Sequence, residues 1–225
     1  MSDLHRRLWT QSVLFGLGLA ALLFAPAGTF RFWQAWVYVA IFVAATSTIG
    51  IYFLKHDPAL IERRMAAGPS AEREPAQKII MTTVLASFVL LMIIPGFDRR
   101  WHWSAVPTWL VLVADAGVAV SFVIFFAVMK QNSYAASTVR VEADQPVIST
   151  GLYGVVRHPM YAGALLLIGL TPLALGSYRA LLVLIPLAPT LAWRLIDEEH
   201  YLKRHLRGYA DYCRRTPYRL VPWVW

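Results

Sequence analysis

Two runs of residues hold the groups able to do chemistry. In Gly151-Leu152-Tyr153-Gly154-Val155-Val156-Arg157-His158-Pro159-Met160-Tyr161-Ala162-Gly163, a guanidinium, an imidazole and two phenols abut a long apolar segment. Two apolar segments later, Glu198 and Glu199 set a pair of carboxylates at the exit of the second. Pro159 can occupy the first turn of a helix, where its missing N–H costs nothing, and it pushes His158 towards an extended backbone. Gly151, Gly154 and Gly163 relax the chain on both sides and permit close approach to a ligand. Arg157 and His158 are thereby presented beside a helix N-terminus, whose free N–H groups and dipole favour an anion. A cytoplasmic positive charge next to a helix-starting proline accounts for the same residues, and salt bridges to nearby Arg and Lys account for the acidic pair. Carboxylates beside a bilayer are nevertheless expensive unless a cation meets them, and a ligand cation serves as well as Arg. If the two apolar segments form a hairpin, both runs return to one face and their opposite signs confront each other.

The elements that must position these groups are membrane helices. Of 225 residues, 58% are apolar, 15% charged and 13% aromatic, a composition too apolar for a soluble domain of this size. Windows able to cross about 30 Å of hydrocarbon fall near Leu8 to Ala25, Phe32 to Leu54, Lys78 to Pro95 and Pro107 to Lys130. Two shorter stretches follow, Tyr161 to Leu175 and Tyr178 to Ile196, parted by Gly176-Ser177 as a tight hairpin or a shallow pair. The expected fold is therefore all-α and multispanning, with about six helices including a short C-terminal hairpin. On that count 17 of the 21 Lys and Arg residues fall on one face, leaving Arg31, Arg99, Arg100 and Arg179 on the other. This partition predicts an even number of crossings with both termini in the cytoplasm. The nine Trp residues stand near the predicted span ends, as interfacial anchors do. No small-residue cleavage pattern follows the first apolar stretch, so it is expected to stay as a helix.

Three cytoplasmic pieces are long enough to matter, Lys55 to Gln77, Gln131 to Met160 and Asp197 to Trp225. The first opens on Asp57-Pro58-Ala59-Leu60, which predicts a short interfacial helix, and ends in an Ala67 to Glu74 loop that could act as a lid. In the third, Leu202, Leu206, Tyr209 and Cys213 recur at steps of four, three and four, predicting one apolar stripe on a cytoplasmic amphipathic helix. Cys213 is the sole cysteine, which excludes disulfides within one chain and cysteine-ligated metal. His5, His56, His102, His200 and His205 lack metal-ligand spacing, so no metal is expected. A net charge of +8 spread over membrane-flanking loops points to anionic headgroups and not to nucleic acid. Gly16-Leu17-Gly18 lies inside a span and reads as helix packing. Asp115, within the fourth span, is either a functional ionisable group or a hydrogen-bonded buried carboxylate.

Taken in order, Ser137-Thr138-Val139-Arg140-Val141, Gly151-Leu152-Tyr153, Arg157-His158-Pro159-Met160-Tyr161-Ala162-Gly163, Glu198-Glu199-x-x-Leu202, Tyr209-x-x-Tyr212 and Arg219-Leu220-Val221-Pro222 resemble the isoprenylcysteine carboxyl methyltransferase and phospholipid methyltransferase superfamily. Asp57-Pro58-x-Leu60-x-x-Arg63 is similar more loosely to the loop after that family's second helix. The resemblance divides the chain into residues 1–130, four helices with a loop at about 55–77, and residues 131–225, a cofactor-binding region. It implies an integral membrane enzyme that transfers methyl from S-adenosylmethionine to a lipid or lipid-modified acceptor at the cytoplasmic interface. Carried over by position, it implies cofactor-binding roles for Gly151, Tyr153, His158, Tyr161, Gly163, Glu198 and Glu199. Catalytic roles fall to Arg157, His158 and Glu199, and substrate-binding roles to Arg157, Tyr209, Tyr212 and Arg219. A carboxylate acceptor needs no base, whereas an amine or thiol acceptor requires one, for which His158 or Glu199 serves. Membrane sterol and enone reductases, which use reduced nicotinamide, resemble the same C-terminal half, usually with Asn where this chain has Met160. A scaffold or transporter with a decayed site is the third reading. The acceptor stays open among prenylcysteine, an ethanolamine headgroup, an isoprenoid quinone or phenol, and a small thiol.

Overall fold

Hydrocarbon offers backbone groups no water to bond, so apolar spans of this length must close their own hydrogen bonds as helices. The computed structural model describes residues 3–65, 68, 70, 75–139, 141–142 and 145–225, with no strand among them. Its helices are α1 (Asp3–Ala27), α2 (Trp33–His56), α3 (Pro58–Met65), α4 (Pro75–Trp101), α5 (Thr108–Gln131), α6 (Leu152–Val155), α7 (Pro159–Ala174), α8 (Leu184–His205) and α9 (Tyr209–Arg215). A 3-10 turn, Arg179–Val183, leads straight into α8. Five helical stretches are long and apolar enough to cross a membrane, namely α1, α2, α4, α5 and the continuous Arg179–His205. Leu14, Leu17, Val123 and Ile185 point outward from them, and all nine Trp residues are exposed. The chain is an integral membrane protein of all-α architecture.

The last two apolar stretches differ from each other. Helix α7 has 16 residues, which at about 1.5 Å each give roughly 24 Å, less than the hydrocarbon thickness. Its partner is not short. The apolar window closes at Ile196, yet the helix continues through Arg194 and the Asp197 to Glu199 carboxylates to His205, because these charges turn inward to partners. The hairpin between them is fastened by Asp98 of α4, which is buried and accepts from Ser104 Oγ (2.6 Å) and Ser177 Oγ (2.5 Å). Gly176 turns the chain there with φ +71°. Beneath the knot, Leu19, Leu23, Phe42, Leu91, Val118 and Phe122 form the core, and Tyr38 of α2 is joined to Thr171 of α7 at 2.9 Å.

The predicted apolar stripe does not lie on one helix. Helix α8 ends at His205, Gly208 reverses the chain with φ +85°, and α9 starts at Tyr209. Leu206, Tyr209 and Tyr212 are still buried together, with Leu202 and Cys213 against them, so the apolar pattern records a shared core across a bend. The short interfacial helix expected after Asp57 is α3, with Asp57 Oδ1 accepting from Leu60 N–H at 3.0 Å. The Ala67 to Glu74 loop falls largely outside the described residues.

Candidate active site

Pro159 starts α7, and the two residues before it are paired with the chain's last stretch. The N–H groups of Arg157 and His158 donate to the carbonyls of Tyr218 and Arg219 at 2.9 and 3.0 Å. This pairing places the Arg157 and His158 side chains over the end of α8, where Glu199 is buried. Glu199 Oε1 stands 2.8 Å from Arg157 Nε, as an ion pair not aligned for a hydrogen bond, and 3.2 Å from His158 Nε2. Its Oε2 accepts from Arg219 Nε at 3.2 Å, with Lys203 Nζ at 3.8 Å. The Arg157 guanidinium also donates to the carbonyls of Cys213 (3.3 Å) and Thr216 (3.4 Å). Tyr209 Oη lies 3.4 Å from His158 Nε2, and Tyr212 Oη donates to the Tyr153 carbonyl at 2.7 Å. Burial pushes the phenols of Tyr209, Tyr212 and Tyr153 above the usual tyrosine range, so they stay protonated.

Glu198, one residue earlier, takes a different direction. Tyr161 Oη donates to its Oε2 at 2.6 Å and accepts from Arg194 Nε at 3.1 Å. Arg194 also donates to Gln77 Oε1 (2.6 Å) and to the Ser137 carbonyl (3.1 Å), while Gln77 Nε2 donates to Asp197. Helices α4, α7 and α8 are thus cross-linked at the level of the two motif runs. The irregular segment after α5 closes the remaining side. Arg63 makes a two-pronged pair with Glu142 (2.8 and 2.9 Å), Ser137 Oγ donates to the Arg64 carbonyl (3.0 Å), and Arg64 Nη1 donates to the Ala135 carbonyl (3.0 Å).

Between these walls lies a cavity of about 470 Å³, within the range of pockets that hold small organic ligands. Its polar lining includes Arg64, Tyr153, Arg157, His158, Tyr161 and Glu198, and its apolar side includes Met81, Val84, Ala164 and Leu191. Tyr209 and Tyr212 reach it as well. The acidic pair and the Arg157-His158 run, distant in sequence, are therefore adjacent in space. Gly151, Gly163, Glu199 and Arg219 stand outside the lining. Gly151 is a hinge with φ +60°, and a Cβ on it would sit 2.5 Å from Gln131 Oε1, which accepts the Leu152 N–H. Gly163 faces α5, where a Cβ would meet Phe125 Cε1 at 2.9 Å. Sequence reasoning passed over Arg194, Gln77 and Arg64. Arg194 lies one helical turn before Glu198, a spacing that marks facing partners, although on this helix Tyr161 stands between them. Arg64 and the α4 residues Met81 and Val84 belong to the chain's first 130 residues, so the cavity draws on both parts of the chain. Asp115 of α5 is buried with neither carboxylate oxygen hydrogen-bonded among the described residues, and it stands outside the lining of this cavity.

Residues 110–204 match the model of the isoprenylcysteine carboxyl methyltransferase (ICMT) family. A delta(14)-sterol reductase of Mus musculus is 31% identical over 91 residues, 39% of this chain and 22% of the reductase. Protein-S-isoprenylcysteine O-methyltransferase B of Arabidopsis thaliana is 23% identical over 144 residues, covering 61% of this chain and 69% of that protein. The match thus spans about a fifth of the reductase and more than two thirds of the methyltransferase.

Proposed function

We propose that this chain, whose residues 110–204 match the model of the isoprenylcysteine carboxyl methyltransferase family, is a membrane enzyme transferring methyl from S-adenosylmethionine to a lipid or lipid-modified acceptor. The observation that carries the proposal is the meeting of Glu198, Tyr161 and His158 around one cavity with an apolar side between α4 and α8. Such a cavity suits a cofactor with cationic and hydroxyl groups at one end and an aliphatic acceptor at the other. When bound, S-adenosylmethionine supplies an activated methyl carbon and departs as a neutral thioether. Glu198 would hold its ammonium or ribose hydroxyls, and Tyr161 fixes the carboxylate that does so. Tyr153, Tyr209 and Tyr212 line the site as neutral phenols. Arg157 stands at the wall with its charge already balanced by Glu199, so its proposed part is to shape and orient.

Displacement at an activated carbon gains chiefly from alignment of the reacting atoms at about 3 to 3.5 Å. A carboxylate acceptor then needs no proton transfer. For an amine or thiol acceptor, His158 is the group at the cavity able to take the proton. Its Nε2–H directed at Glu199 leaves Nδ1 basic, and Glu199 would stabilise the resulting imidazolium. Glu199, behind the cavity wall, is in this proposal a positioning residue and not a direct participant. The apolar side suits an acceptor that stays in the bilayer, since each buried CH₂ is worth about 0.8 kcal/mol. We place the site at the cytoplasmic face, with both termini there and residues 131–225 as the main cofactor-binding region.

Nicotinamide-dependent reduction is the competing reading, favoured by the likeness to the sterol reductase. Incubation of the protein in nanodiscs with methyl-labelled S-adenosylmethionine and a total lipid extract tests the acceptor. Label is expected in the organic phase, and a cofactor-binding protein that labels no lipid would contradict a lipid acceptor.

A further inference from the structure

Among the described residues three guanidiniums line the cavity, and two of them are already engaged. Arg157 faces Glu199 and two carbonyls, and Arg194 serves Tyr161, Gln77 and Ser137. Arg64 of α3 differs. Among the described residues its guanidinium donates to the Ala135 carbonyl, a neutral group, and no carboxylate there reaches it. Its neighbour Arg63 has taken Glu142. Desolvation pulls the Arg64 guanidinium below the ordinary arginine range, with the Tyr153 phenol acting against that shift. A guanidinium has five N–H donors, so most of those on Arg64 are left for a ligand. Holding such a charge half-buried without an anion is costly, and a planar carboxylate is the group it matches best.

We propose that Arg64 is the anion-binding residue of this cavity, receiving a ligand carboxylate. The inference rests on the methyl-donor reading and sharpens it. Arg157 was the cation expected from sequence to take that group, but its guanidinium already faces Glu199 and two carbonyls. The carboxylate can come from the amino-acid portion of the cofactor or from the acceptor, and the two sources separate experimentally.

The test uses the purified chain in detergent as wild type, Arg64→Gln and Arg64→Lys. Calorimetry measures S-adenosylhomocysteine and its decarboxylated analogue, and thermal shift measures dodecanoate against dodecanol on the S-adenosylhomocysteine-saturated protein. If the cofactor is the source, Arg64→Gln weakens S-adenosylhomocysteine at least ten-fold, leaves the decarboxylated analogue unchanged, and Arg64→Lys recovers part of the loss. If the acceptor is the source, cofactor affinity is unchanged and the stabilisation by dodecanoate over dodecanol disappears. Arg64→Gln should also melt no lower than wild type, since it removes a poorly partnered charge, whereas a purely structural Arg64 would lower it. Wild type that binds S-adenosylhomocysteine while Arg64→Gln alters neither probe would overturn this proposal alone. Wild type that binds neither probe would overturn it together with the reading beneath it.

Discussion

At the scale of single residues the site separates into a buried ion-pair anchor and a set of groups placed to meet a ligand. Glu199 is the anchor. It is fully buried against Arg157, His158, Arg219 and Lys203, so removing its charge leaves several cations with no counter-ion. Glu199→Gln is expected to destabilise the protein by about 3 kcal/mol, the cost of stripping one partner from a buried pair, visible as a lower melting temperature in detergent. An unchanged melting point would show that the cluster is not structural. Tyr161→Phe removes the hydroxyl shared by Arg194 and Glu198. It should weaken S-adenosylhomocysteine by roughly ten-fold, or about 1.4 kcal/mol, with little change in melting temperature. Equal affinities would detach Glu198 from the cofactor. The Arg157-His158 and Glu198-Glu199 runs stood out in the sequence because polar groups beside apolar spans demand partners. Arg194 did not, because it lies in a span whose composition hides a single inward-facing polar side chain, and Gln77 did not, because it closes an expected cytoplasmic piece although α4 already begins at Pro75.

At the scale of elements, the hairpin of α7 and α8 brings the two runs together, and α5 is what α7 leans on. Gly163→Leu would push into the Phe125 ring and is expected to cost about 1 to 3 kcal/mol as overpacking. The corresponding loss of ligand binding should follow the lowered melting point, and a stable Gly163→Leu protein that has lost only ligand binding would place Gly163 in the site instead. The α9 region carries a pH signature. Burial raises the Tyr209 and Tyr212 phenols, so the folded state holds protons that the unfolded chain releases at about pH 10. Their contribution to stability is complete below that pH and is lost as pH rises above it. Melting temperature should therefore fall between pH 9 and 11, less steeply in Tyr209→Phe. An identical slope would remove Tyr209 from that account. The apolar periodicity of this region was readable, but its division at Gly208 was not, since a period of three to four residues persists across a bend that keeps the same side chains in one core. The full length of α8 was hidden for a related reason. Hydropathy ends where charges begin, whereas a helix continues as long as those charges find partners.

At the scale of the whole molecule, one chain encloses a cavity that borrows from its interfacial helix, α4, the hairpin and the tail. The leading membrane helices carried no distinctive motif, yet α4 supplies Met81 and Val84 to the lining, and α3 supplies Arg64 just past the loosely similar Asp57 to Arg63 run. Their part was unreadable because it depends on packing between distant elements. The lopsided distribution of Lys and Arg predicts both termini on the cytoplasmic side. Terminal reporter fusions should be active only as cytoplasmic markers, and opposite orientations would require an odd number of crossings. The central claim is that the cavity between the Arg157-His158 run and Glu198 holds S-adenosylmethionine. Its most direct test is calorimetric titration of the wild-type protein with S-adenosylhomocysteine and with NADPH, repeated on Glu198→Gln. Saturable binding of S-adenosylhomocysteine, weakened in Glu198→Gln, with no heat from NADPH is the predicted result, and binding of NADPH in its place would contradict the account.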